Sequence, residues 1–216
     1  TVAIVGATGA GKTSVINLLN RFYDIDSGEI SIDGINIKDY TLSSLRKNIG
    51  IVLQDVFLFS DSIFNNITLK DDSISLDQVK LAAKQIGVHD FIMSLPKNYY
   101  YNVKERGIML SSGQRQLIAF LRVYVSNPQI LILDEATSSI DSASEILIQN
   151  ATEKLTKNRT SLIIAHRLAT VKKANNIIVM DSGNIIEQGL HEELINNIDG
   201  YYKKLYDVQF QEKDAG

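Results

Sequence analysis

Gly6 to Thr13 reads GATGAGKT and follows directly on the apolar run Val2, Ala3, Ile4 and Val5. Glycines at 6, 9 and 11 let the backbone curl so that successive N–H groups face one anion, such as a phosphate. Lys12 supplies a charge that reaches terminal phosphates, and the Thr13 hydroxyl is a hard ligand for Mg²⁺. The spacing G-x-x-x-x-G-K-[ST] has this meaning when a strand precedes it and a helix follows. Both signals are present: from Ser14 to Phe22, Val15, Ile16, Leu18, Leu19 and Phe22 form an apolar stripe, so the positive end of a helix can face the phosphates. The candidate nucleotide contacts are therefore Gly6, Ala7, Thr8, Gly9, Ala10, Gly11, Lys12, Thr13 and Ser14. The loop alone does not choose among kinase, GTPase and ATPase chemistry.

A second run, Ile130 to Leu133 (ILIL), is aliphatic throughout, as in a parallel strand covered on both faces, and it ends in Asp134 and Glu135. An aliphatic strand ending in acid complements a phosphate loop, because Asp134 can hold Mg²⁺ through water beside Thr13. Gln54 closes another strand pattern, Ile49 to Leu53, and His166 follows a third, Thr160 to Ala165. Parallel sheets collect ligand groups at such strand ends.

These residues need a scaffold, and the chain supplies one. Gly28 to Lys38 (GEISIDGINIK) reads as a hairpin turning at Asp33 and Gly34, with Ile30, Ile32, Ile35 and Ile37 alternating. Thr41 is placed to cap a short helix through Leu45. From Ser62 to Val125 the pattern is almost wholly helical, including Ser75 to Gly87, with Ser75 as N-cap and Gly87 as stop. A helix after Gly113 puts Leu117, Phe120, Leu121, Tyr124 and Val125 on one face and ends before Pro128. Strands at Ile177 to Met180 and Asn184 to Gln188, with helices from Ser142 to Leu155 and from Leu168, complete an α/β alternation. The run Tyr99 to Tyr101 reads as surface loop, and the polar tail as disordered.

With 216 residues and 44% apolar composition, the chain can bury a substantial core. A net charge of −3 with interspersed signs argues against a nucleic-acid surface. The absence of cysteine excludes disulfides and thiolate metal sites, and His89, His166 and His191 lack metal-ligand spacing. No run approaches the length of a membrane span, so direct membrane insertion by this segment is not expected. The chain opens without Met and almost inside its first strand, which suggests a piece of a longer polypeptide.

Leu110 to Gln114 (LSSGQ) stands at the opening of a helix ahead of ILILDE, and SSID follows at Ser138 to Asp141. Together with the phosphate loop, Gln54 and His166, these motifs resemble, in order and over essentially the whole chain, the nucleotide-binding domain of ATP-binding cassette (ABC) transporters. The resemblance implies a P-loop NTPase (RecA-like) fold. Its mixed sheet core would span 1–54, with the hairpin 28–38, and resume at 128–208. A helical subdomain would be inserted at 55–127, and the tail would be 209–216.

It also implies ATP and Mg²⁺ as ligands and a second nucleotide-binding domain, in a homo- or heterodimer, as partner. Each nucleotide would lie between the loop of one copy and Ser111, Ser112, Gly113 and Gln114 of the other. Glu135 resembles the general base, His166 the histidine that contacts the γ-phosphate, and Gln54 a ligand to metal and attacking water. Thr13, Gln54 and Asp134 are then the metal ligands, and Asp141 helps couple the two sites. Ser112 replaces the family's more usual glycine; its N–H is retained, so activity is expected to survive.

Glu105, Arg106 and Gly107 resemble the segment by which exporter cassettes meet their transmembrane domain. Val56 to Ile67 (VFLFSDSIFNNI) is also exporter-like, with Phe57, Leu58 and Phe59 as an apolar docking patch. The implied place is the cytoplasmic face of the plasma (inner) membrane. A chromosome-organising cassette would need a long coiled coil between Gln54 and Leu110, where none fits. A translation-type cassette would need basic RNA-facing segments and a second cassette. A non-catalytic nucleotide-binding module would be expected to lack Glu135 or His166, and both are present.

Only Thr1 to Val5 precede Gly6, so over these residues the family's adenine-stacking aromatic and part of its antiparallel layer are expected to be missing. The expected cost is about 1–3 kcal/mol of nucleotide affinity, or roughly 5- to 150-fold, with poor selectivity among nucleoside triphosphates. The hairpin is expected to present an exposed edge.

Overall fold

The computed structural model describes residues 1–135, 140–165 and 167–208. In chain order it begins with β1 (Val2–Val5), α1 (Lys12–Leu19), β2 (Ser31–Ile32), β3 (Ile35–Asn36), α2 (Leu42–Asn48) and β4 (Ile49–Val52). A helical stretch follows: α3 (Ile63–Thr68), α4 (Leu76–Ile86), α5 (His89–Ser94) and α6 (Ser112–Ser126). Then come β5 (Ile130–Asp134), α7 (Ser142–Thr156), β6 (Thr160–Ile164), α8 (Leu168–Lys173), β7 (Asn176–Asp181), β8 (Asn184–Gly189), α9 (His191–Asn196) and α10 (Tyr201–Tyr206). The chain divides into two compact units, one of Thr1–Ile49, Ile132–Glu135 and Thr160–Gly216, the other of Gly50–Leu131 and Ala136–Arg159. Relative to boundaries at 54 and 127, β4 and α7 thus group with the helical unit.

In the first unit the strand order is β5-β6-β1-β7-β8. β1 runs parallel to β6, pairing Ile4 with Ile164, and parallel to β7, pairing Val5 with Val179. β8 is antiparallel to β7, with an irregularity at Val179/Met180. The sheet is therefore mixed but mostly parallel, and its central strands are aliphatic because both faces are covered. Ala3, Ile4, Leu133, Ile164, Ile177 and Val179 are all buried.

β2 and β3 form a separate two-residue ladder. Its turn has φ 51° at Asp33 and 79° at Gly34, the mirror-image geometry that suits a right-handed hairpin twist. Ile37 falls in a 3₁₀ turn rather than the strand, buried beneath the hairpin and donating its N–H to Ile30 O at 2.8 Å. Phe22 also departs from expectation. α1 closes at Asn20 and Arg21 takes φ 48°, so Phe22 leaves the helical stripe and lies exposed under the Arg46 guanidinium, 5.2 Å from its ring. Thr41 caps α2 by accepting from Ser44 N, and the helix runs past Leu45 to Asn48.

The second unit is built on capped helices. Ser62 caps α3, and Ser75 forms a reciprocal capping box with Gln78 on α4, which Gly87 ends. α6 is buried on more than one face: Leu117, Ile118, Ala119, Phe120, Leu121 and Val123 are in the core, while Tyr124 and Val125 are half-buried. Tyr99 is core rather than surface loop, its hydroxyl 2.9 Å from His89 Nδ1, and burial pushes its phenol up to about 12.

Leu58 is fully buried, whereas Phe57 and Phe59 are exposed and meet edge to face at 5.2 Å between centroids. The cause is Asn66, which is itself fully buried. Its Oδ1 accepts from Phe59 N at 2.8 Å, and its Nδ2 donates to Phe59 O and Ser62 O, each at 3.0 Å. Asn66 thus imitates a strand partner and turns the two rings outward. Asn66→Ala removes the acceptor of the part-buried Phe59 N–H, although Phe59 O keeps its bond from Asp61 N, and is expected to cost about 1–3 kcal/mol in urea unfolding; a change below about half a kcal/mol would show that the clamp is dispensable.

Candidate functional site

The loop between β1 and α1 presses directly against β7. A Cβ on Gly6 would sit 2.3 Å from the Met180 carbonyl oxygen and 3.1 Å from Ala10 Cβ, so no other residue fits without displacing backbone. Gly9 and Gly11 take φ 84° and 98°, the left-handed region where glycine carries no steric cost. Gly183, in the β7–β8 turn, donates its N–H to Ala10 O at 3.0 Å and braces the loop from outside. Ala10 itself is buried in a cluster with Ile4 and Met180.

Lys12 spans the curl, donating from Nζ to Gly6 O at 2.7 Å and Ala7 O at 3.0 Å. Burial pushes its ammonium below the ordinary lysine range, and the Asp134 carboxylate opposes that shift. Gly11 is the N-cap of α1, so Lys12 and Thr13 open the helix where its free N–H groups and positive dipole end lie.

Asp134 ends β5, and Glu135 follows, donating its N–H to Ile164 O on β6. The Glu135 side chain is only 8% exposed. Its Oε1 accepts from Thr170 Oγ1 at 2.6 Å, and its Oε2 accepts from Arg167 N at 3.2 Å. Those two partners were not legible in the sequence, because they lie more than thirty residues away and become neighbours only through β5 and β6. His166 lies outside the described residues, as do Ser138 and Ser139 of the SSID motif.

The second unit holds the remaining candidates. Ser111 is the N-cap of α6: its Oγ accepts from Gln114 N at 3.2 Å, and Gln114 Oε1 returns the bond to Ser111 N at 3.0 Å. Ser112 is half-buried just behind it. Gly113 is fixed by packing, since a Cβ there would lie 2.6 Å from Ser144 Cβ. Asp141 caps α7, accepting from Ser144 N at 2.8 Å, so the two helix starts are held together through Ser144. Gln54 is exposed just beyond β4 and lines a groove of about 920 Å³ with Phe57, Lys104, Arg106, Ser112 and Arg115. The groove's rim is strained: Lys104 and Arg106 hold φ 62° and 52°, and Gly107 leaves room for Leu58 and the Arg115 stem. Arg115 also donates to Leu110 O at 2.8 Å, which ties that rim to the start of the LSSGQ stretch.

Residues 1–138 match the family described as ABC transporter. The chain belongs to the ABC transporter family. Within it, a Staphylococcus aureus (strain NCTC 8325 / PS 47) protein named "Putative multidrug export ATP-binding/permease protein" is 51% identical over 209 residues, which is 97% of this chain and 36% of that protein. The YgaD protein of Bacillus subtilis (strain 168), under the same description, is 48% identical over the same shares. A solved structure, that of a bacterial Atm1-family ABC exporter with ATP bound, superposes with a TM-score of 0.88 at 44% identity, covering 97% of this chain and 36% of the other. The ABC chain thus spans about a third of the length of the curated relatives it matches.

The loop geometry separates two glycine substitutions that look alike in sequence. Gly6→Ala must push β7 or the loop aside and is expected to lose about 1–3 kcal/mol of stability and to weaken Mg·ATP binding at least about tenfold. Gly9→Ala faces open space and carries only the left-handed penalty of about 1–2 kcal/mol. Thermal unfolding and titration calorimetry read both; equal affinity losses for the two would contradict the steric account.

Proposed function

We propose that this chain binds and hydrolyses ATP, and that two such cassettes close around two nucleotides to power export across a membrane. The observation that carries the reading is one compact unit in which a glycine-curled loop, Lys12 and the acidic end of β5 occur together. The loop N–H groups and the first turn of α1 bind phosphate oxygens. Lys12 has three N–H bonds and spends two on the loop, so the third is available to the terminal phosphate.

Thr13 and Asp134 are hard oxygen donors and fit Mg²⁺, with Gln54 as a further ligand to metal and water. Bound there, the ion supplies charge neutralisation for phosphoryl transfer. Glu135 accepts the proton as water attacks the γ-phosphorus, and the bond to the bridging oxygen breaks to release ADP and phosphate. His166 is proposed to contact the γ-phosphate. Ser111, the N–H groups of Ser112 and Gly113, and Gln114 would bind that phosphate from the second copy, and Asp141 would relay between the paired sites. Loss of the shared phosphate then opens the dimer.

The permease part of the relatives' name supports a transmembrane partner. The Gln54–Arg115 groove, with exposed Phe57 and Phe59 beside it, is the surface proposed to receive it. Among the described residues no helix is long and apolar enough to cross a membrane. The proposed position is the cytoplasmic face of that membrane, and the exported compound is unassigned.

The test is Mg·ATP hydrolysis as a function of protein concentration, with and without Glu135→Gln. The expected rate rises faster than linearly, and the substitution abolishes turnover while ATP still traps a dimer. Binding with no turnover in the unsubstituted chain would favour a regulated dimerisation module. Turnover that is linear in concentration and insensitive to Glu135→Gln would overturn the mechanism.

A further inference from the structure

We propose that Thr170 is a positioning residue for the Glu135 carboxylate, fixing the rotamer from which it takes the proton of the attacking water. The inference rests on Glu135 being the base in the reaction proposed above. A glutamate side chain has three rotatable bonds, and a base that must meet one water in one direction gains from having them fixed. Here both carboxylate oxygens are held, Oε1 by the Thr170 hydroxyl at 2.6 Å and Oε2 by the Arg167 N–H at 3.2 Å. The first distance is that of a charge-assisted O–H···O⁻ bond.

The choice of donor is informative. Threonine in a helix commonly turns its hydroxyl back onto a carbonyl of the preceding turn. A hydroxyl has one hydrogen to give, and Thr170 gives it to Glu135 instead. The donor itself is well anchored. Thr170 and Val171 donate their N–H groups to Arg167 O at 3.1 and 3.2 Å, and Val171 is fully buried. On the acceptor side, the Glu135 backbone is tied to Ile164 O at 3.1 Å.

The grip is therefore rigid at both ends. A carboxylate offers about four lone-pair sites, two on each oxygen, and these two bonds engage both oxygens at once. The Arg167 bond is made by its backbone N–H and survives most substitutions, so Thr170 is the side-chain donor that substitution can test.

Thr170→Val keeps the branched shape and removes the donor, whereas Thr170→Ser keeps the donor. At saturating Mg·ATP, Thr170→Val is expected to lower kcat about ten- to a hundredfold with KM within about twofold, and Thr170→Ser to restore most of the rate. Thermal unfolding provides a readout independent of turnover. Thr170→Val should lower the Tm of the chain when Glu135 is present and should not when Glu135 is alanine. An unchanged or raised kcat in Thr170→Val, alongside loss of turnover in Glu135→Gln, overturns the positioning role and leaves the base assignment standing. Normal turnover in Glu135→Gln overturns both. Equal Tm shifts in the two backgrounds show that Thr170 does not act through Glu135 and also overturn the inference.

Discussion

The first unit depends on how closely the β1–α1 loop approaches β7. With the Met180 carbonyl oxygen where a Cβ on Gly6 would need to be, the loop is wedged between its own helix and the neighbouring strand. The Gly183 bond to Ala10 closes the wedge from the β7–β8 turn. From that contact follow the direction of α1, the curl of the backbone, and a position for Lys12 in which it is partly desolvated yet near Asp134. The parallel registers of β1 with β6 and β7 bring Val5, Ile164 and Asp181 to the same end of the sheet, where an open α/β sheet presents ligand groups.

The second unit solves a different problem, which is to present helix starts. Ser111 and Gln114 satisfy each other's backbone N–H groups, while at α7 the Asp141 carboxylate accepts from Ser144 N. Gly113 lets the two starts approach, because any larger residue would meet Ser144. The residues proposed to meet a second copy's nucleotide are thus already structural caps. That dual role limits what could replace them: a substitution at Ser111 or Asp141 removes a cap worth about 0.5–2 kcal/mol along with any contact to nucleotide. The strained backbone from Lys104 to Gly107 sits beside the same helix, held by Arg115.

Local chemistry was the legible part. Thr41 and Ser75 announce helix starts because capping is decided within three residues, and the unbroken apolar runs at Ile130 to Leu133 and Ile177 to Met180 announce buried strands. Features decided over long sequence separations were hidden. Leu58 is core while Phe57 and Phe59 are exposed because of Asn66, which has no periodic signature. Phe22 matches the α1 stripe in spacing but lies beyond the turn that Arg21 makes. Thr170 becomes a partner of Glu135 only once β5 and β6 are adjacent. The grouping of α7 with the helical unit likewise comes from packing against α6, to which no local pattern points.

Composite sites, each made from the loop of one copy and the LSSGQ stretch of another, are tested most directly by complementation. Lys12→Ala removes the loop's cation, and Ser111→Arg blocks the facing helix start, so either chain alone has no intact site. Mixed in equal amounts, they form some dimers in which one site combines the intact loop of one chain with the intact LSSGQ stretch of the other. Recovery of Mg·ATP hydrolysis in the mixture, with neither chain active by itself, is the predicted result. Silence in a mixture shown to contain the nucleotide-bound mixed dimer, or full activity of the Ser111→Arg chain alone, would contradict it.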